Sequence, residues 1–508
     1  MNIRKLLTRL VSLALIAVFL PTVAMADTWY LEDGSITVSA TDSGQNVSQG
    51  GVTKEDSAPV IRNRDSSAST TNNVTIRADT GATANVTLED TNIDTTGGAG
   101  PKSAGDAAVR TEGGGNVNLN VELDNTLQSG NTHAGVEKGN GGNLTIGSES
   151  GSGQLVAVGG DGGAGIGGGE NTGAENITIT GGDIFAIGNG GGAGIGGGWD
   201  CSASDITITG GNVTAVGKQD DPGRIGGAGI GGGGSQTSNA GSGTNIKITG
   251  GRVTAVGGNY SAGIGGGYGS NGENITISDA EVIAIGGTCS AGIGGGCRNL
   301  DSTAAGEGKN ISISGSANVK AAGGVGDSMD GAGAAIGAGG SHQGTTLVDA
   351  QEGDVGTSGL SPDGGVERLD PGTTFDIPQP KPRSSFPKPA PDPVAVEEEP
   401  QPVKAALYRV IDDAGKPLPV ETKQEDGVLL LTAQADIAIL EGAISGLQTL
   451  QSRGIDTITF TNGTISVSFS LAEVIAKGAS SDIYRLTLSG GEANFTLADA
   501  DITALLGK

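Results

Sequence analysis

The phrase Ala-Gly-Ile-Gly-Gly-Gly stands at residues 164–169 and recurs at 193–198, 228–233, 262–267 and 291–296. Successive copies begin 29 to 35 residues apart. Two short apolar stretches precede each copy, as Asn-Ile-Thr-Ile at 176–179 and Ile-Phe-Ala-Ile at 184–187 precede the second. A unit of this length cannot bury its apolar residues alone, so the repetition predicts a solenoid of stacked units.

The stretches before the phrase alternate between apolar and variable positions. Alternation of period two predicts strands in which Ile177 and Ile179 point inward and Thr178 points to water. In the following strand the position between the apolar residues varies, which predicts an exposed place; its occupants are Phe185, Thr214, Thr254 and Ile283. Three strands per unit without helical periodicity predict a mainly β fold, a three-sided parallel β-helix.

Stacking of the units predicts two ladders of like residues. The first is internal and consists of Ile166, Ile195, Ile230, Ile264 and Ile293. The second lies at a corner, where each side-chain amide would bond the next, and consists of Asn176, Asn245, Asn274 and Asn310. Both ladders assume about 4.8 Å of rise per coil.

These repeats resemble the Gly-rich β-helix repeats of secreted Firmicute proteins. That broad group includes surface adhesins and carbohydrate-binding relatives of polysaccharide lyases. The resemblance covers roughly residues 73–340 and implies a fold rather than a ligand. The members of the group suggest adhesion or carbohydrate binding as the class of function, without specifying a ligand.

The net charge of the chain restricts its binding partners, and its N-terminal segment indicates where it acts. The formal net charge of -27 argues against nucleic acid and anionic membranes, which would be repelled. Residues 1–26 are typical of a secretory signal, with a basic start, an apolar run and Ala24-Met-Ala26 at the cleavage site. No later stretch contains the roughly 18 apolar residues that span a bilayer. We therefore expect a secreted protein, held at a cell surface or free.

Composition divides the chain into five segments. They are the signal peptide 1–26, an N-terminal cap 27–72, the repeats 73–345, a disordered linker 346–403 and a C-terminal domain 404–508. The linker is predicted as an extended spacer because ten of the chain's 17 prolines lie between residues 371 and 402. The C-terminal domain is predicted to be a small α+β module that binds protein or cell wall.

Local patterns predict the elements of this module. A hairpin at Asn462-Gly463 would pair Phe460 with Ile465, and one at Gly490-Gly491 would pair Leu486 with Phe495. One helix would carry an apolar stripe, and a second would begin at the capping box of Ser470 and Glu473. The stripe consists of Ile437, Leu440, Ile444 and Leu447.

Several motifs are better explained by structure than by chemistry. The phrase contains G-x-G-x-x-G at Gly163, Gly165 and Gly168, but a dinucleotide site needs a following helix, and here another strand follows. The phrase also lacks the aspartate of calcium-binding nonapeptides. An extended strand at 291–296 would hold Cys289 and Cys297 about 20 Å apart, too far for a disulfide. The three cysteines, Cys201 included, are predicted to be small buried or half-buried residues, and His133 and His342 to be isolated surface residues.

Two groups of residues are candidate binding sites. Trp199 and Tyr268 follow the phrase at equivalent positions and could stack on sugar rings. The second group is the charged insertion 218–224, with Asp220, Asp221 and Arg224, which could lie near Lys247 and Arg252. A polysaccharide lyase of this fold would use clustered acids to hold calcium against a uronate, and a cation or base to remove the C5 proton of the uronate. The outward positions of the first strands form an array that resembles ice-binding solenoids, but Lys247 interrupts it and the coils vary in length; the array consists of Thr178, Thr180, Thr207, Thr209, Thr276 and Ser278.

We therefore expect a non-catalytic binding or adhesion scaffold for glycans or other cell-surface polymers. A lyase or glycoside hydrolase that acts on acidic polysaccharide is the alternative, and a structural envelope protein is the third reading. No catalytic residue, metal ligand or cofactor is assigned, although calcium stays open for so acidic a chain.

Overall fold

The computed structural model describes residues 27–97, 105–218, 225–235, 240–298, 304–386 and 408–507, apart from isolated positions in the last two ranges. The chain divides into two compact units, residues 1–390 and 391–508, and each is described by itself. The predicted signal peptide and most of the insertion, residues 219–224, lie outside the described residues.

The first unit is mainly β and consists of coils whose strands form three long sheets, as predicted. The asparagine sheet contains Thr28–Tyr30, Val60–Arg62, Thr83–Glu89, Asn116–Glu122, Leu144–Gly147, Ala174–Ile179, Ala203–Ile208, Gly243–Ile248, Gly272–Glu273, Thr276–Ser278, Gly308–Lys309, Ile311–Ser314 and Val355–Gly356. The middle sheet, which follows in each coil, contains Asn92–Asp94, Asp124–Gln128, Gln154–Asp161, Asp183–Asn189, Asn212–Gly217, Arg252–Val256, Glu281–Ile285, Asn318–Ala322 and Gly365–Leu369. The middle-sheet strands pair in parallel.

The glycine sheet is built on the phrase and ends in an antiparallel cap. Its strands are Ile36–Thr41, Gly44–Gln49, Val52–Glu55, Val74–Ala78, Val109–Glu112, Val136–Lys138, Ile166–Gly167, Ile195–Gly196, Ile230–Gly231, Ile264–Gly265, Ile293–Gly294 and Ile336–Gly337. The first three pair in antiparallel fashion, and the outermost is exposed and carries Lys54 and Glu55. Charged residues on an outer strand discourage pairing with another chain.

The isoleucine ladder is present in full, and the asparagine ladder is present from Asn310 to Asn245, where Asp205 rather than Asn176 accepts the next bond. The five isoleucines of the phrase pair in register and are fully buried. At the asparagine corner the amide of Asn310 donates to Asn274 at 3.0 Å, and that of Asn274 donates to Asn245 at 3.1 Å. Asp205 accepts the next bond, from Asn245, at 3.1 Å. These residues have φ of 52–56°, a left-handed conformation that Asn and Asp tolerate better than most residues.

The phrase consists of glycine because adjacent coils touch there through their backbones. A Cβ atom on Gly198 would lie 1.9 Å from the carbonyl oxygen of Gly169 in the neighbouring coil. Gly196 has a φ of 138°, which side chains rarely allow. The phrase therefore gives two-residue strands with bends between them.

Part of the predicted linker follows the surface of the solenoid. The segment 372–386, which we name the strap, begins near the last coils, where Gly372 N–H donates to Gly323 O at 2.9 Å. It passes along the middle sheet and contains the 3₁₀ turn Arg383–Ser385.

The outward position of the middle-sheet strands was predicted to be exposed. This prediction was wrong for Phe185, Thr214 and Thr254, which are buried, while Ile283 is half-buried. A short hairpin, Ser341–Gln343 with Thr346–Val348, precedes the strap.

The second unit contains two sheets and two helices. Its five-stranded sheet consists of Arg409–Ile411, Ile437–Ala443, Ile483–Ser489, Glu492–Leu497 and Ala500–Asp501, and its four-stranded sheet of Val420–Glu425, Val428–Ala433, Thr457–Thr461 and Ser466–Ser470. The helices are Ile444–Ser452 and Leu471–Ile475, and a 3₁₀ turn spans Thr503–Leu505. Aromatic side chains of Phe469, Tyr484 and Phe495 meet in its core.

Some elements of the second unit agree with the sequence-based predictions, and others do not. The Gly490-Gly491 hairpin has the expected register, with Leu486 opposite Phe495. The predicted register of the Asn462-Gly463 hairpin was wrong, because Phe460 pairs with Val467. The Asn462 carboxamide oxygen accepts hydrogen bonds from the N–H groups of Thr464 and Ile465 and so widens the turn. The striped helix was wrong for its first half, since Ile437–Ala443 is a strand and the helix begins only at Ile444. The second helix begins after Ser470 but has no side-chain capping bond.

Candidate binding site

The residues that flank each glycine phrase face each other across a tight loop. The residue two places before the phrase has a left-handed φ in four of these loops, at Gly162 (86°), Gly191 (107°), Tyr260 (65°) and Cys289 (49°). Eight positions later stand Glu170, Trp199, Tyr268 and Cys297. We name this column of paired residues the loop corner.

Trp199 and Tyr268 are held differently at the loop corner. The indole of Trp199 packs on Gly191, where an added Cβ would lie 2.0 Å from the ring, and Trp199 is half-buried. Tyr268 is only 6% exposed, because its ring lies 5.6 Å from that of Tyr260 and packs with Ile225. Of the two predicted platforms, Trp199 alone keeps substantial exposure.

Cys289 and Cys297 form a disulfide, so the prediction that they lie too far apart was wrong. Their Cα atoms are 5.2 Å apart. The prediction assumed one extended strand, whereas only Ile293–Gly294 is extended and Ala291 N–H bonds Gly295 O across the loop. Both cysteines are fully buried, as expected, and Cys201 is a half-buried free thiol.

A buried ion pair lies beside this disulfide. Arg298 Nε donates to Asp330 at 2.8 Å, and a carboxylate oxygen of Asp330 lies near both sulfur atoms. Two sulfurs that are bonded to each other and a carboxylate that is paired with arginine do not offer a free set of metal ligands. The group therefore closes a loop rather than holding an ion.

The charged candidates do not form one site among the described residues. Asp220, Asp221 and Arg224 lie outside those residues. Lys247 is exposed on the asparagine sheet, in register with Thr207 and Thr276. Arg252 begins a middle-sheet strand and pairs with Glu281 at 2.7 Å.

Sequence reasoning missed a cleft of about 300 Å³ between the middle sheet and the strap. Its sheet side is lined by Asp183, Phe185, Asn212, Val213, Thr214, Arg252 and Thr254, and its strap side by Pro378, Gln379 and Lys381. Asn212 Nδ2 donates to Asp183 Oδ1 at 2.7 Å. The strand-starting column Asp183, Asn212, Arg252 and Glu281 is in register, so these polar groups line one edge of the sheet.

Below the cleft, the strap is anchored in a set of acids that we name the acidic groove: Asp90, Asp124 and Asp183, with Gln154 between them. Lys381 Nζ lies 2.5 Å from Asp183, and Arg383 Nη1 lies 2.5 Å from Asp90. Burial raises the pKa of Asp124, while the hydrogen bond from Gln154 and the charge of Arg383 oppose that rise.

A second polar cluster surrounds His133, which was predicted to be an isolated surface residue. His133 Nδ1 lies 2.6 Å from Glu137 Oε2 and 3.1 Å from Arg110 Nη2. Arg110 also donates to Glu137 at 2.9 Å. The spacing of His133 and Glu137, together with strand pairing of Arg110 and Glu137, brings the three together. The side chain of His342 lies outside the described part of the structure.

Comparison with known proteins agrees with this architecture. A family model described as "Beta helix repeat" matches residues 177–199, 206–234, 246–268 and 275–297. Together with the parallel sheets, these matches show a β-helix repeat fold in this region of the chain. No curated protein and no solved structure shows significant similarity to it.

Each matched segment runs from an asparagine-sheet strand through a middle-sheet strand to the residue that follows the phrase. The matched repeats thus contain Trp199, Tyr268 and Asn212 but not the strap. Among the described residues, no helix is both long enough and apolar enough to cross a bilayer.

Proposed function

We propose that the protein is a secreted or surface-associated, non-catalytic binding and adhesion scaffold, and that the cleft of the middle sheet binds glycans. The observation that carries the proposal is the concave, mixed lining of this cleft. Binding sites for small molecules combine an apolar surface with a few convergent polar groups. The signal-like residues 1–26 support export.

The chemistry of the lining favours an uncharged, hydroxyl-rich ligand. Asn212 offers an amide, and Phe185 with Val213 offers apolar contact. The charged groups at the cleft are paired, Lys381 with Asp183 and Arg252 with Glu281, so hydrogen-bonding groups of both kinds are present without one dominant sign. A neutral saccharide can donate to the carboxylate and accept from the guanidinium or the amide.

A glycan array with the full chain, in the presence and absence of calcium, tests this proposal. Asn212→Ala is expected to weaken binding of each positive glycan at least tenfold, about 1.4 kcal/mol. The matched control is Asn318→Ala, which removes an exposed amide from the same register column outside the lining. A blank array, or equal binding by both variants, would reject the cleft and leave a structural envelope role.

One observation favours catalysis as a second candidate. Glu137 can accept the Nδ1 proton of His133 and so orient the ring, while Arg110 supplies a cation for an acidic sugar. A polysaccharide lyase with this site would release unsaturated ends from a uronate polymer, which absorb in the ultraviolet. Activity that disappears in His133→Gln but persists in Asn212→Ala would replace the scaffold proposal with the lyase.

A further inference from the structure

The strap spans the length of the middle sheet. It is bonded to Gly323 at Gly372 and to Asp90 at Arg383. An extended chain with about 3.1 Å per residue covers about 34 Å between these anchors. The steps from Asn318–Ala322 to Asn92–Asp94, at about 4.8 Å each, also amount to about 34 Å. The strap is thus extended, and its length matches the distance between its anchors.

The acidic groove recognises both the backbone and the side chains of the strap. Gln154 Oε1 accepts from the N–H of Lys381 at 2.7 Å, and Gln154 Nε2 donates to the C=O of Lys381 at 3.0 Å. The side-chain amide of Gln154 therefore satisfies both the backbone N–H and the backbone C=O of Lys381. The same recognition would hold for any extended peptide at this place.

Arg383 occupies a complete cation pocket. Its Nη1 donates to Asp90, its Nη2 donates to the carbonyl of Thr91 at 3.0 Å and to Thr126 Oγ1 at 3.3 Å, and its Nε lies 3.3 Å from Asp124. Arginine suits such a site because its planar group offers several donors in fixed directions. The side chain of Asp124 is 4% exposed, so the acid needs a cationic partner when it is ionised.

The two cation pockets are separated along the strap by one proline, Pro382. Proline holds the chain extended, which lowers the entropy that binding would otherwise remove. Above the anchors, Pro378 and Gln379 line the open cleft, so there the strap bridges the sheet without filling the space below it. Attachment of the strap to the acidic groove therefore depends on the short sequence Lys381-Pro382-Arg383, and a second chain with the same sequence could supply these contacts.

We propose that the acidic groove is a docking site for extended peptides that carry two cationic residues separated by one proline, and that the strap occupies this site in cis. This goes beyond the proposed glycan cleft, with which the groove shares only Asp183 of its acids. Displacement of the strap by such a peptide frees three carboxylates, with which the two cationic residues of the peptide then pair.

Fluorescence anisotropy with a labelled peptide that copies residues 376–386 tests the docking site. The host is the full chain with Lys381→Ala and Arg383→Ala, which vacates the groove. We expect the peptide to bind this host at least tenfold more tightly than the wild type, whose own strap competes at high effective concentration. Binding should weaken when salt rises, because the contacts are ionic. A host with Arg383→Ala alone, which alters one partly exposed side chain, should bind with intermediate affinity.

Two controls define specificity. A peptide with glutamine in place of both cations should not bind, and Asp90→Asn with Asp124→Asn in the vacated host should abolish binding of the original peptide. Circular dichroism checks that each host keeps its β structure. Absence of peptide binding to both folded vacated hosts, or equal binding of the glutamine peptide, would overturn the proposal.

Discussion

The glycine sheet and the middle sheet belong to the same coils but differ in strand length and in the side chains that they carry. In the glycine sheet the strands built on the phrase contain two residues, and adjacent coils approach so closely that Gly198 has no room for a Cβ atom. In the middle sheet the strands Asp183–Asn189 and Asn212–Gly217 are long enough to present outward side chains. Phe185 and Thr214 occupy such places beneath the strap.

The difference shows why strict repetition and side-chain variety occur on different faces of one coil. A face that packs through backbone atoms tolerates little change, and it offers a ligand few side chains. The middle sheet needs only its inward residues, such as Val213 and Ala215, for the core. Its outward residues are free to differ between coils, and there a cleft and an acidic groove are found.

The largest effect is expected from adding a methyl group to the glycine sheet. Gly198→Ala would place a carbon 1.9 Å from the backbone oxygen of Gly169, so the coils must separate. We expect a loss of about 3 kcal/mol in unfolding free energy, the upper end of the overpacking range. Gly365→Ala in the middle sheet is the control, because nothing lies within 4 Å of its added Cβ.

Denaturant titration followed by circular dichroism measures both glycine variants. Gly365→Ala should leave the stability unchanged or raise it by up to about 1 kcal/mol, through the lower entropy of the unfolded chain. If Gly198→Ala were as stable as Gly365→Ala, the close backbone contact between coils would be wrong.

The second effect concerns the loop corner, where Cys289 and Cys297 close the loop around one copy of the phrase. Cys289→Ser with Cys297→Ser should lower the unfolding free energy by about 2.5 kcal/mol, because the unfolded chain regains the entropy of a short loop. A reductant should lower the melting temperature of the wild type but not that of the double variant. Cys201→Ser, which alters the half-buried free thiol, should have little effect. A wild type that is insensitive to the reductant while both thiols become reduced would contradict this account.

A smaller effect is expected from pH at the acidic groove. Because burial raises the pKa of Asp124 above 3.8, the folded chain retains this proton to a higher pH than the unfolded chain does. The wild type should therefore lose stability relative to Asp124→Asn as pH rises from 3.8 through the raised pKa. Denaturant titrations of both proteins across this range measure the difference. A difference that grows in favour of the wild type would mean that Arg383 outweighs burial.

Structural features that recur in every coil could be predicted from the sequence, whereas contacts that occur only once in the molecule could not. The isoleucine and asparagine ladders followed from the period, since stacking puts equivalent residues in register. The contact of Arg383 with Asp90 did not, because proline content predicts an extended segment but not the surface on which it lies. The disulfide was missed because the phrase was predicted as one extended strand, whereas the chain bends inside each copy, as between Ala291 and Gly295.

Local patterns were also ambiguous in the second unit. Ile437, Leu440 and Ile444 fit a helical stripe, yet Leu440 pairs with Leu486 in a strand and the helix starts later. Strand pairing with residues far along the chain overrides a short helical pattern of this kind. Trp199 was chosen for its type, whereas the cleft around Asn212 required the strap to be in place.

The central claim, that ligands bind at the middle sheet and not at the loop corner, is tested most directly by truncating one aromatic residue on each. Phe185→Ala and Trp199→Ala are titrated calorimetrically with a glycan that the array identifies. The account predicts at least tenfold weaker binding for Phe185→Ala, which loses the apolar side of the cleft, and unchanged binding for Trp199→Ala. Loss of binding in Trp199→Ala with retention in Phe185→Ala would contradict it.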